Sequence, residues 1–196
     1  MAVTKIELIN TALTKLGARP IVSLDDNSEN ARIINRTYDY SLRSVLSECP
    51  WNFALKRRLL AQSADELEWY YSEESYVYQL PADTVRVFSV NDSKAVWRQE
   101  GEYIISDTAD LGIKYVYFIT DTSKYPPAFT EALVDRLCSD IAFAVLNSRS
   151  VGDDYLKRYH EISLTKAMAE NAQTGLHQEI TDDAWELSKY GNDTYA

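Results

Sequence analysis

The chain has 196 residues, a formal net charge of −10, and 45% hydrophobic against 26% charged residues. That is enough for one sizeable core, or a core domain with a smaller one attached, and too apolar for wholesale disorder. No run approaches the roughly eighteen apolar residues of a membrane helix, and MAVTKIELINTALTKLG alternates polar and apolar residues, so neither a membrane span nor export is expected.

The charge is unevenly spread. Residues 1–60 hold nine Lys/Arg against six Asp/Glu, whereas 61–196 hold eleven against twenty-four. A tight grip on nucleic acid needs a basic footprint, and Lys56-Arg57-Arg58 is the one sequence cluster that offers it. The two cysteines, Cys49 and Cys138, show no metal-ligand spacing and sit in apolar helical contexts, where they read as small buried hydrophobes in a reducing compartment.

In chain order, Thr4 and Glu7 form a capping-box pair and Gly17 supplies a left-handed stop, giving a first helix over 4–16. Residues 18–28 read as a loop with Ile21, Val22 and Leu24 pinned on the core. Ser28 or Asn27 caps a second helix that runs to about Ser47, with Ile34, Tyr38, Leu42, Val45 and Leu46 on its buried stripe. Pro50 stops it, and Pro50-Trp51-Asn52-Phe53 forms the corner of the main core. Lys56 to Leu60 fits either a short helix or an extended strand.

From residue 69 to 119 the pattern changes to short β-branched and aromatic runs separated by turns. Strands are expected over 76–79, 84–90, 95–98, 102–106 and 113–120. Eight of the fourteen tyrosines fall between residues 70 and 125, where they read mainly as sheet core and secondarily as interface residues. Helical periodicity returns over 127–147, with Pro127 in the first turn, and again over 151–173, where Tyr155, Leu156, Tyr159, Ile162, Leu164, Ala167 and Met168 are available for a buried side. The final stretch is acidic, with Trp185 and Tyr190 as isolated anchors for its own domain or a neighbour. The fold class expected is α+β: a helical bundle of about four helices (1–60 and 125–175), an inserted small antiparallel β domain (66–122) and a C-terminal tail (176–196).

Chemistry is sparse. His160 and His177 lack a second ligand at helical spacing, and the acidic pairs Asp25-Asp26, Glu73-Glu74, Asp153-Asp154 and Asp182-Asp183 read as solvated surface. There is no GxxxxGK[ST], GxGxxG or GxSxG motif. No catalytic residue, metal or cofactor is expected. Lys56-Arg57-Arg58 reads either as a solvated rim or as an interface cluster facing an acidic surface or a phosphate backbone; contact between unlike faces of copies would close a ring or grow a filament.

Several blocks in order resemble one family. They are Asn10-x-Ala12-Leu13-x-x-Leu16-Gly17 followed by Pro20-Ile21-x-Ser23-Leu24, Arg43-x-Val45-Leu46-x-x-x-Pro50-Trp51-Asn52-Phe53-Ala54, Tyr78-x-Leu80-Pro81-x-Asp83-x-x-Arg86-Val87, and Tyr125-Pro126 with Phe129-x-x-Ala132-Leu133. Over about residues 6–170 the chain is similar to the tail tubular protein A family, the head-to-tail adaptors of short-tailed phages. The resemblance implies a helical bundle with an inserted β domain, assembled as a dodecameric ring between the portal protein and the distal tail nozzle protein, around a channel for double-stranded DNA. It implies that Trp51 and Phe53 are core residues, with Lys56, Arg57, Arg58, Trp185 and Tyr190 left as candidate interface residues. The competing readings are another head-completion or stopper protein, a small DNA-processing enzyme, and a monomeric protein-binding module.

Overall fold

The computed structural model describes residues 3–63, 69 and 75–174. Helix α1 (Lys5–Lys15) starts where Thr4 and Glu7 complete a reciprocal capping box, and Gly17, at φ +71°, takes the left-handed turn that ends it. Helix α2 (Glu29–Glu48) is capped by the Ser28 side chain, which accepts from the Ala31 amide. Its stripe of Ala31, Ile34, Tyr38, Leu42, Val45 and Leu46 is buried. Helix α3 (Pro127–Leu146) opens on proline and closes on Asn147 in the left-handed region. It packs against every other helix and so forms the axis of the bundle.

The last rod is α4 (Arg149–Arg158), a π turn (Tyr159–Ser163) and α5 (Leu164–Gln173) run end to end. The Leu164 amide reaches back five residues to the Tyr159 carbonyl, which inserts an extra residue into the turn. The buried face is re-aimed as a result: Tyr159, Ser163, Leu164 and Ala167 face the core. Ile162 and Met168, expected inside from unbroken helical spacing, are 55% and 40% exposed.

Between α2 and α3 the chain builds two three-stranded antiparallel sheets. Strand β1 (Leu55–Leu59) pairs with β6 (Gly112–Tyr117), which pairs with β3 (Thr84–Val90). Strand β5 (Tyr103–Ser106) lies between β2 (Tyr76–Gln79) and β4 (Trp97–Glu100). The first sheet therefore begins at Leu55, before the expected insertion, and the strand expected at 95–98 lies two residues later. Alternation on β6 divides the interior. Val116 joins the helical core, whereas Ile113 and Tyr115 join a second core with Leu60, Tyr78, Val87, Ile104 and Leu111. The sheet tyrosines Tyr78 and Tyr115 are 2% exposed, which places them in packing duty. The fold is α+β: a four-rod helical body carrying two small sheets.

One charge lies deep in the body. Asp135 on α3 is 0% exposed and accepts from Lys15 Nζ at 2.7 Å and Arg158 Nε at 3.0 Å, tying α1 and α4 to the axis. Lys15 and Arg158 keep access to water, but Asp135 has none. Replacing both cations, Lys15→Met with Arg158→Met, should strand the carboxylate and cost about 3–5 kcal/mol in urea unfolding, because a buried charge without its partners is strongly destabilising.

Candidate assembly surface

The polar residues of the blocks quoted above work as joints between elements. Asn10 accepts from the Ile21 amide and donates to the Ile21 carbonyl, both at 2.9 Å, so the first block fastens its own following loop to α1. Arg43 on α2 stacks its guanidinium over Phe118, 4.6 Å from the ring centroid. Arg86 on β3 donates to the Ser47 carbonyl at 3.1 Å, which ties the sheet to the end of α2. Asn52 donates through Nδ2 to the Asn171 carbonyl and Thr174 Oγ1, each at 2.8 Å, and its amide donates to Asn171 Oδ1, also at 2.8 Å. That anchors the corner to the end of α5.

The corner is aromatic. Trp51 is 1% exposed, and its indole donates to the Val45 carbonyl at 2.9 Å. Its ring meets Phe129 edge to face at 5.0 Å, and Phe129 in turn meets Phe53 at 4.7 Å and Tyr125 at 5.1 Å. Beside it lies a depression of about 290 Å³ lined by Trp51, Phe53, Phe129, Ala167, Asn171 and Thr174.

Asp83 is the densest joint. It accepts from Lys56 Nζ at 2.7 Å and from the Tyr115 hydroxyl at 3.1 Å, while its carbonyl accepts from the Phe118 amide at 2.7 Å. Burial pushes the carboxyl up, but the hydrogen bonds from Lys56 and Tyr115 outweigh it and hold it below its ordinary 3.8. Lys56 also lies 3.7 Å over the Tyr117 ring.

The basic triplet is thus divided by the strand that carries it. Lys56 is committed to Asp83, and Arg57 and Arg58 point to opposite faces of β1. Pairing substitutes another cation: Lys114 on β6 stands directly opposite Arg57. Leu59, 72% exposed, joins them on an open groove that includes Asn91 and Gly112, and the 48% exposed Phe88 ring lies 5.3 Å from Lys114 Nζ beside it. Lys114 and Phe88 were not expected here, since strand pairing and not sequence proximity brings them to this face, whereas Leu59 shares it with Arg57 by alternation along β1. Trp185 and Tyr190 lie outside the described residues.

Cys49 and Cys138 are buried, and burial pushes the Cys138 thiol up to about 12. Asp25, Asp26, Asp153 and Asp154 are exposed, and no group of three or more His, Cys, Asp or Glu able to hold a metal occurs among the described residues. No family model matches the chain, and no curated protein matches it.

Asp83 carries a pH prediction. Its folded pKa is lowered, so its contribution is present above the unfolded value and is lost as pH falls through the folded value. Asp83→Asn should cost about 1 kcal/mol or less at pH 7, since both partners are partly exposed, and the gap from the parent should narrow as pH falls below the ordinary 3.8 toward the lowered folded value. Urea midpoints measured at pH 7 and at about pH 3 check this; a gap that persists or widens in acid contradicts it.

Proposed function

We propose that the chain is a structural head-to-tail adaptor subunit of a short-tailed bacteriophage. In this role it forms a dodecameric ring between the portal protein and the distal tail nozzle protein, with double-stranded DNA passing through the centre. It works in the virion tail and is assembled in the host cytoplasm. It is not an enzyme, and its contribution is mechanical.

The observation that carries this reading is the placement of Asn10, Arg43, Asn52, Asp83 and Arg86. These residues belong to the blocks that carry the family resemblance, and each holds one element against another. Residues used as joints give a body whose helices and sheets keep a fixed relation, which a ring subunit needs when neighbours and a portal load it from several sides. The net charge of −10 adds support, because a surface poor in cationic phosphate sites lets DNA pass without adhering.

The decisive experiment images the tail vertex of particles made with and without this protein. Particles lacking it should carry no nozzle and should leak packaged DNA, and the purified protein should restore both by binding portal-bearing particles. Free protein need not form a ring, because the portal can act as the template. Complete, DNA-tight tails in its absence would remove the reading.

A further inference from the structure

We propose that the groove lined by Arg57, Leu59 and Lys114, with the Phe88 ring beside Lys114, is the intramolecular docking site of the chain's own C-terminal segment, residues 176–196. This does not depend on the adaptor reading, since it concerns the isolated subunit.

The groove has about 570 Å³ of open volume and is built for an anionic, partly apolar occupant. Arg57 and Lys114 are register partners on neighbouring antiparallel strands. Like charges placed directly opposite destabilise a strand pair, so this position is unfavourable until an anion lies over it. No described carboxylate is ion-paired to Arg57, Arg58 or Lys114; Lys114 has instead the Phe88 ring, 5.3 Å from its Nζ. Leu59 lies across Gly112, where a Cβ would meet Leu59 Cδ2 and Asn91 Cγ at 3.2 Å. Glycine thereby lets Leu59 and Asn91 close over the strand and form the groove floor. Leu59 and Phe88 expose apolar surface beside the cations.

Residues 176–196 have the matching chemistry. They carry Glu179, Asp182, Asp183, Glu186 and Asp193 against Lys189, interleaved with Ile180, Trp185 and Leu187. Their point of departure is also fixed. Thr174 accepts a hydrogen bond from Asn52, three residues before β1 begins, so the segment leaves from the head of the strand that carries Arg57. From Thr174 to Trp185 an extended chain spans up to roughly 36 Å, and from Asn52 to Leu59 at most roughly 23 Å, so the segment reaches the groove within one chain. The high effective concentration of a tethered segment favours that over capture by a neighbour. Duplex DNA is the weaker candidate, because three cations in a chain of this negative charge make a small phosphate footprint.

Disulfide trapping in the full chain tests it. Leu59→Cys with Trp185→Cys should give an intramolecular disulfide roughly fivefold faster than the control pair Val22→Cys with Trp185→Cys, the factor expected from one or two favourable exposed ion pairs. Val22, expected on the core, is instead 88% exposed, which makes it a stringent control, and the native cysteines are buried. Arg57→Glu with Lys114→Glu should remove the advantage, and Asp182→Lys, Asp183→Lys and Glu186→Lys added to that background should restore it. High salt should remove it from the unreversed chain, a result that needs no further substitution to fold. Equal rates for the two pairs, indifference to charge reversal, or a disulfide whose yield rises with protein concentration overturns the proposal. So does duplex DNA held by Arg57 and Lys114 when the tail pair does not cross-link.

Discussion

The structure depends on what Trp51 does at the end of α2. Pro50 cannot continue the helical hydrogen-bond ladder, and the Trp51 amide turns back to the Cys49 carbonyl at 2.9 Å, so the chain reverses while the indole stays under the helix it has left. Its N–H is satisfied by Val45 and its ring by Phe129, which leaves this bulky group fully buried with no polar atom unpaired. Each edge-to-face pair in the cluster adds about 0.5–1.5 kcal/mol beyond the area buried. The position has a further consequence. The short turn Asn52–Ala54 that follows is gripped by Asn171 and opens directly into β1, so one buried ring sets both where the last helix ends and where the sheet starts.

Two kinds of electrostatic contact then serve different purposes. Asp135 is fully buried between Lys15 and Arg158; such a triad costs desolvation, and its effect is to fix which helices meet and in which rotation. Asp83, Arg86 and Arg43 are at the margin between body and sheet, where water screens them and each contributes little. Several such joints acting on different strands and helices restrain orientation better than any one restrains distance. A rigid relation between the helical body and the sheets arises from that redundancy.

Helix ends were legible because their signals are local. Thr4 with Glu7, Gly17, Ser28 and Pro127 act within one turn of themselves, and each terminates or caps where the sequence places it. β1 was ambiguous for the opposite reason: Leu-Lys-Arg-Arg-Leu has no local strand pattern, and it becomes a strand because β6, more than fifty residues later, offers a partner edge. The π turn was invisible, since a single extra residue in a turn leaves apolar spacing intact while rotating everything after it, which is why Met168 faces out. The candidate surface suffered from the same nonlocality. Lys56-Arg57-Arg58 is a cluster only along the chain; alternation separates it, and register assembles Arg57 with Lys114 instead.

Exposed apolar side chains occur in the helical body as well, Phe143 and Ile162 among them, but on one sheet face they combine with unfavourable charge. The stripe of α2 is buried, the capping residues Thr4 and Ser28 are bonded, and the buried side of the axial helix is apolar except for a paired Asp135. By contrast, the end of the first sheet away from the helices sets two cations opposite each other and leaves Leu59 and Phe88 in water. Natural sequences are generally consistent from propensity to packing, and departures from that consistency concentrate where a surface has work to do. The departures on this face occur together: excess positive charge and exposed apolar area beside the point where an acidic, tryptophan-bearing stretch follows the last helix. A contact that neutralises the charge and covers the leucine and phenylalanine relieves both conflicts together, whereas either relieved alone leaves the other standing.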